Sequence, residues 1–447
     1  MLDIYKLREE YEKISKRIRD RNRPYEQLDE FLKVDEEWRN IATKTQELRT
    51  KRNSITEQIS KLYAQGKKAE GEKLRQDVIG IKEQLESLEK KYNDVHANLM
   101  EVLYSIPNIP DPEVPLGKDE NDNVELRKIN KPKKFKFKVL PHWELAEHLD
   151  IADFTRAAKI SGSRHTIFKG DGARLMRALR NYTLDIHQGA GFIELQPPVL
   201  INPEILYGTG HLPKSKDDMF ELKNGQFLSP TEEIPLTGYY RNETLNINQL
   251  PIRLSSSTIS YRSEAGSAGK DMRGVIRQHQ FYNTEMVVIC SDDDSKKQHE
   301  FITKQAELIL KSLKLPYRVI ILCTGDMGSA ATKTYDIEVW FPYEQKYREI
   351  SSCSNCRDYQ ARGSVIKYID QKTNETKFVH TLNGTGTSLN RLWVAVVENY
   401  QQQDGSIVIP TALQKYMNGQ KIIKPVAVKS VKKPAVKKAI VKKNKKK

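Results

Sequence analysis

Between Phe31 and Val102 the apolar residues fall into two seams that step by alternate threes and fours. The first runs Phe31, Val34, Trp38, Ile41, Thr45, Leu48, Arg52, Ile55, Ile59 and Leu62, broken only at Thr45 and Arg52. The second runs Leu74, Val78, Ile81, Leu85, Leu88, Tyr92, Val95, Leu99 and Val102 without a break. A mean step of about 3.5 residues draws one stripe along a helix, which is the coiled-coil period. The turn Ala64-Gln65-Gly66-Lys67-Lys68 separates the seams. Two heptad helices joined so closely must fold back as an antiparallel pair. At ~1.5 Å per residue they make an arm about 50 Å long. Such a hairpin buries little, so it projects from a body encoded elsewhere in the chain. Its outer face carries Lys44, Arg49, Lys51, Lys61, Lys67, Lys68, Lys73 and Arg75, with acids interleaved. Charge alone reads that face as solvated and laced with intrahelical ion pairs.

The arm, about residues 28–103, belongs to an N-terminal domain over 1–106. Prolines 107, 110, 112 and 115 forbid continuation of its helix and open a linker over 107–134. From 135 to 420 the texture changes. Strand-like runs (Gly191–Leu195, Tyr317–Leu322, Asp336–Trp340) alternate with helical ones (Ala173–Ile186, Leu392–Tyr400). That mixture predicts a large, mostly antiparallel sheet with helices, an α/β or α+β domain. Residues 421–447 repeat Val-Lys-Lys and read as a disordered tail. This tail decides how the charge is read. The net charge is +15, but twelve lysines and no acid lie beyond residue 420, which leaves +3 for the rest. A polyanionic partner therefore needs better support than the total. The 38% hydrophobic and 30% charged content suits a globular body carrying a solvated helical arm.

Four cysteines in a chain this long make no disulfide framework, and the single Cys353-x-x-Cys356 reads as ordinary thiols in a packed strand–turn region. The first residues lack the apolar stretch of a secretory signal, and no run approaches the ~20 apolar residues that cross a bilayer. The expectation is a cytoplasmic protein with no membrane partner.

Three stretches place charged and small residues inside strand-like sequence. Ile259-Ser260-Tyr261-Arg262-Ser263-Glu264 leads into a glycine-rich basic loop and returns through Val275-Ile276-Arg277-Gln278-His279-Gln280-Phe281 to Glu285. Period two puts Arg262 and Glu264 on one face. Gly266-Ser267-Ala268-Gly269-Lys270 is not a phosphate-binding P-loop, because the spacing to a Gly-Lys-Ser/Thr ending is absent. The second stretch is Tyr347-Arg348-Glu349-Ile350-Ser351-Ser352. The third, Leu382-Asn383-Gly384-Thr385-Gly386-Thr387-Ser388-Leu389-Asn390-Arg391, opens an apolar helix.

Together these resemble motifs 2 and 3 of class II aminoacyl-tRNA synthetases, and Gly191–Leu200 resembles motif 1 with Pro198 at its proline. The class I signatures are absent. Thr231-Glu232-Glu233 is similar to the Thr-x-Glu loop of seryl-tRNA synthetases, and the likeness to the bacterial type of that family extends from Met1 to about Met417, arm included. Two stretches depart from it. Motif 3 reads Gly-Thr-Gly-Thr-Ser-Leu-Asn-Arg rather than Gly-Ser-Gly-Leu-Ala-Val-Gly-Arg, and Gly363 stands where a second arginine is usual. The intact arm argues against a homologue that loads carrier proteins, and the full set of ATP positions argues against an inactive scaffold.

The resemblance implies an α+β fold: a coiled-coil arm, then a class II catalytic domain. It implies activation of serine by ATP to seryl-adenylate, then transfer to the 3′ end of tRNA(Ser) and, where present, tRNA(Sec). Displacement at the α-phosphate needs little proton chemistry, so positioning and charge neutralisation dominate. Arg262 would bridge the serine carboxylate and the α-phosphate. Glu264 would accept from the adenine amino group while Phe281 stacks on the ring. Arg277 and Arg391 would hold the outer phosphates, with Arg262 and Arg391 as the catalytic arginines. Glu349 and Ser352 would bind Mg²⁺. Thr231 and Glu233 would accept from the serine ammonium, with Glu285, Asn383 and Thr385 around the hydroxyl. The arm would read the long variable arm of tRNA(Ser), and the enzyme would be a homodimer with motif 1 at its interface.

Overall fold

The computed structural model describes residues 1–22, 25–266, 273–371 and 373–425. The arm forms as its seams require, from α1 (Glu26–Ala64) and α2 (Lys68–Ser105). Every residue of both seams is buried or half-buried, while most positions between them are exposed. Gly66 adopts a left-handed φ of +77° at the reversal, a conformation that costs glycine little. Thr45 interrupts the seam harmlessly because its hydroxyl donates to the Ile41 carbonyl, 2.8 Å away. At the base, Leu28, Phe31, Val34, Leu99, Val102 and Leu103 form a core with Leu7, Ile14 and Ile18 from the short helices Ile4–Glu9 and Tyr11–Arg19. Asp35 is buried there between Arg8 and Arg39, at 2.5 and 3.0 Å.

In chain order the body comprises β1 (Val124–Ile129), α3 (Asp171–Gly189), β2 (Ile193–Glu194), α4 (Glu233–Gly238), β3 (Ile252–Ser256), β4 (Ile259–Tyr261), β5 (Gln280–Cys290), α5 (Ser295–Ser312), β6 (Tyr317–Ile321), β7 (Lys333–Phe341), β8 (Lys346–Arg357), α6 (Tyr359–Ser364), β9 (His380–Ser388) and α7 (Leu389–Asn399), besides shorter elements. Among the described residues nine strands form one sheet in the order β1-β6-β7-β8-β9-β5-β3-β2, with β4 paired to β5. All these pairs are antiparallel except β2 with β3. The stretch read as a linker is thus partly structural: β1 is the sheet's edge strand, pairing with β6. Likewise Ile422–Ile423, at the start of the stretch read as tail, pairs with Ile407–Val408, whereas residues 426–447 lie outside the described residues.

Helices α3, α5 and α7 pack on one face of the sheet. Met286, Val288 and Cys290 of β5, Tyr335, Ile337 and Val339 of β7, and Leu382 of β9 turn towards them in a single large core. The opposite face of β5 carries Val287 and Ile289 into a second core with Leu236, Tyr368 and Val379. Burial on both faces explains why Met286–Cys290 of β5 reads as a continuous apolar run.

The arm's base is fastened to the body by its polar atoms. Arg21 is buried and donates to the carbonyls of Asn108, Gly328 and Ala331 at 2.9, 3.2 and 2.5 Å. Asn108 donates to Ala330 and Cys356. The N-terminal amine of Met1 donates to the Tyr359 carbonyl at 2.6 Å.

Candidate active site

The residues that alternate with the helix-facing ones line a cleft of about 510 Å³ on the other side of the sheet. In β9, Leu382 and Gly384 face α5, so Asn383 and Thr385 face the cleft. In β5, Glu285 is in phase with Val287 and also faces it. In β7, Thr334, Asp336 and Glu338 alternate with the core residues Tyr335 and Ile337. Glu349 and Ser352 of β8 are three apart and should point oppositely under strict alternation. Both line the cleft because the register slips: Ser351 faces Ile337, but Glu349 faces Glu338. An extra residue in one strand re-aims a side chain in this way.

The cleft gathers Thr231, Glu233, Arg262, Glu285, Glu349, Ser352, Asn383 and Thr385. At one end Thr385 donates to Glu285 at 2.9 Å, and Asn283 donates to the same carboxyl at 3.1 Å. Burial, with Glu232 and Glu233 adding repulsion, pushes the Glu285 carboxyl well above the usual carboxylate range. Glu232 is itself raised to about 7 by burial, although Thr258 and Ser260 donate to it. Asn383 donates to Glu233 at 2.8 Å, and Thr231 accepts from the Glu233 amide at 3.2 Å.

Arg262 lines the same cleft. Its Nε donates to the Pro230 carbonyl at 3.2 Å, and its guanidinium lies over the Phe281 ring, 5.1 Å from the centroid. At the far end Asp336 lies across from Ser352 and Glu338 from Glu349. Burial and the neighbouring Glu349 raise Asp336 well above its ordinary value. Its Oδ1 is buried without a partner. Oxygen-rich and acid-rich, this end suits a hard divalent cation.

Glu264, Arg277, Phe281 and Arg391 do not line the cleft but border it. Phe281 supports Arg262. Arg391 is the only residue of α7 that is not buried, and it donates to the Glu349 carbonyl at 2.7 Å with the carboxylate 3.3 Å away. Glu264 and Arg277 form an ion pair at 2.6 Å. The expectation that Arg262 and Glu264 share a strand face is corrected here. β4 ends at Tyr261, and Glu264 takes a left-handed φ of +56°, so alternation stops between them. Residues 267–272 of the basic loop lie outside the described residues.

Two of the departing residues, Asn390 and Gly363, have local explanations. Asn390 is buried and accepts from the Tyr282 amide at 3.0 Å, satisfying a strand donor. Gly363 sits where α6 meets the helix Pro203–Thr209, and a Cβ there would fall 2.5 Å from the Gly208 carbonyl. Four residues of this region were not picked out from sequence: Asp336, Glu338, His211 and Gln360. Asp336-Ile337-Glu338 carried a signal, since two acids in phase within an apolar run must share one face. Gln360 carried none, because its partners come from three separate segments.

A mostly antiparallel sheet whose cleft face gathers carboxylates and small polar side chains from β5, β7, β8 and β9, with Arg262 just after β4, is the arrangement of a class II aminoacyl-tRNA synthetase. Residues 219–400 match the tRNA synthetase class II core domain (G, H, P, S and T), and residues 1–110 match the seryl-tRNA synthetase N-terminal domain. The chain is 51% identical to a serine–tRNA ligase of Malacoplasma penetrans over 82% of this chain and 86% of that protein. It is 46% identical to one of Ureaplasma parvum over 93% of this chain and all of the other. The structure of seryl-tRNA synthetase from Pyrococcus horikoshii complexed with ATP superposes with a TM-score of 0.87 at 36% identity, covering 96% of this chain and 100% of that one. The chain belongs to the seryl-tRNA synthetase family.

Proposed function

We propose that this chain is a serine–tRNA ligase that activates serine with ATP and transfers it to tRNA(Ser), and to tRNA(Sec) where one exists. The observation that carries this reading is the single cleft joining a small polar subsite at Glu233, Glu285, Asn383 and Thr385 to an acidic end at Asp336, Glu349 and Ser352, with Arg262 in its lining.

The serine ammonium is held by Thr231 and Glu233. The hydroxyl meets Glu285, Asn383 and Thr385. Burial favours the protonated form of the Glu285 carboxyl, which can donate as well as accept and so suits a hydroxyl partner. Alanine would leave these buried groups unpaired and is rejected on that ground. Arg262 holds the serine carboxylate against the α-phosphate and spreads the charge that develops as pyrophosphate leaves. Glu264 takes the adenine amino group and Phe281 the ring. Arg277 and Arg391 take the outer phosphates, which requires Arg277 to exchange its Glu264 partner for ligand. Mg²⁺, when bound, neutralises phosphate charge. Glu349 and Ser352 would hold it, and the orphaned Asp336 Oδ1 beside Ser352 supports that fit. In the second step the tRNA 3′-terminal hydroxyl attacks the seryl carbonyl and AMP departs.

The arm binds the long variable arm of the tRNA through its backbone and shape. A cytoplasmic homodimer fits the reading. Exposed Leu200 and Tyr239 line an apolar groove with Pro197 and Pro198 of motif 1, which supports the second subunit packing there. Serine-dependent ATP–pyrophosphate exchange, followed by charging of tRNA(Ser), tests the whole. Both are expected; no exchange with any amino acid from folded protein would overturn it.

A further inference from the structure

Gln360 is fully buried at the start of α6 and does not line the cleft. Its Oε1 accepts from the Thr381 hydroxyl at 2.7 Å. Its Nε2 donates to Glu233 Oε1 at 2.7 Å and to the Thr209 carbonyl at 3.1 Å. The orientation of the amide follows from these partners. Two acceptors face Nε2 and a hydroxyl that can rotate its proton faces Oε1; the reverse orientation would set Oε1 against a carboxylate and a carbonyl. Glu233 Oε1 also takes the Asn383 amide at 2.8 Å, so this oxygen is doubly satisfied inside the protein. Among the described residues nothing so close holds Oε2; the His211 imidazole Nε2 lies 3.9 Å away.

We propose that Gln360, fixed by Thr381, is a positioning residue that sets the Glu233 carboxylate with Oε1 tied back and Oε2 presented to the ammonium group of the bound amino acid. The inference rests on the serine-ammonium role proposed above for Glu233. Gln360 belongs to a polar relay in which Thr381 orients the amide, the amide orients the carboxylate, and the carboxylate meets substrate. Such a relay lowers the cost of ordering the carboxylate when substrate arrives, so its loss weakens serine binding and leaves ATP binding alone.

The test is steady-state ATP–pyrophosphate exchange with the full chain, varying serine and ATP separately. Gln360→Met keeps the volume and removes both polar atoms. It should raise KM for serine about tenfold or more while KM for ATP and kcat stay within about twofold, the split expected when ground-state binding alone is lost. Thr381→Val, nearly isosteric, removes only the donor that orients the amide and should raise KM for serine severalfold. It carries the test if the Met variant does not fold. Glu233→Gln is measured in parallel. If Glu233→Gln raises KM for serine but neither Gln360→Met nor Thr381→Val does, the positioning role is overturned and the Glu233 reading stands. If Glu233→Gln leaves KM for serine unchanged, the subsite reading falls and this inference with it. If the Gln360 and Thr381 variants raise both KM values and lower kcat together, the residue is merely structural.

Discussion

Arg262 touches more of the proposed chemistry than any other side chain, and its surroundings explain how it is kept ready. A carbonyl holds Nε and an aromatic face supports the guanidinium, leaving the terminal nitrogens for ligand. Arg262→Ala is expected to lower the exchange rate by about 100-fold or more, as loss of a group that stabilises developing charge does; wild-type exchange from this variant would remove the arginine from the mechanism. Glu349 invites a different measurement. Glu349→Gln should raise the Mg²⁺ concentration for half-maximal exchange about tenfold, the size of effect that weakening one ligand produces. A Mg²⁺ titration that superposes on wild type would place the cation elsewhere. At this scale the sequence was most informative where family motifs named residues, and least where a residue acts through another, as proposed for Gln360.

Elements determine which of those residues can meet. Gly386 allows β9 to pass α3: a Cβ there would lie 2.3 Å from His187 Cε1, and His187 is held by Ser255 at 2.8 Å. Gly386→Ala should therefore cost about 1–3 kcal/mol, the usual range for overpacking, read as a lower denaturation midpoint; an unchanged midpoint would mean that α3 yields easily. The arm makes its own prediction. Replacing residues 46–88 by a short turn leaves the base core around Phe31 and Leu103 intact. Exchange should stay within about twofold while charging of tRNA(Ser) falls by about 100-fold, because phosphate and shape contacts supply much of RNA affinity. Charging at the wild-type rate would leave the hairpin without its proposed role. The arm was legible because heptads report it locally. Strand β1 was not, since proline and acidic residues mask an edge strand whose partner lies nearly 200 residues on.

Across the whole molecule, buried histidines tie stability to pH. Burial lowers His187 to about 3 and His299 to about 4, against an ordinary 6.5. Below about pH 6.5 the unfolded chain takes up protons that the folded chain refuses. Stability from these two groups is complete above that pH and falls as pH drops towards their folded values, by up to about 1.4 kcal/mol per unit for each histidine. Urea midpoints measured from pH 7.5 to 4.5 should show this slope, and His187→Gln should flatten it. An identical slope in the variant would assign acid sensitivity to other groups. tRNA charging efficiency should fall steeply with salt while exchange falls far less, since only the first depends on contacts with an RNA backbone.

By itself the sequence determined the arm, the order of the motifs and the types of residue at the cleft. Each of these is written in short-range pattern: heptad spacing, alternation along strands, and glycine or proline at turns. Only the tertiary structure decided that Glu349 and Ser352 share a face through a register slip, that Glu264 turns away to Arg277, and that Arg21 and Asn108 fasten the arm to loop carbonyls beside the cleft. It alone decided that Gln360 reaches Glu233. These outcomes depend on which distant strands pair and in what register, and register is set by packing across the whole sheet, which no local window contains.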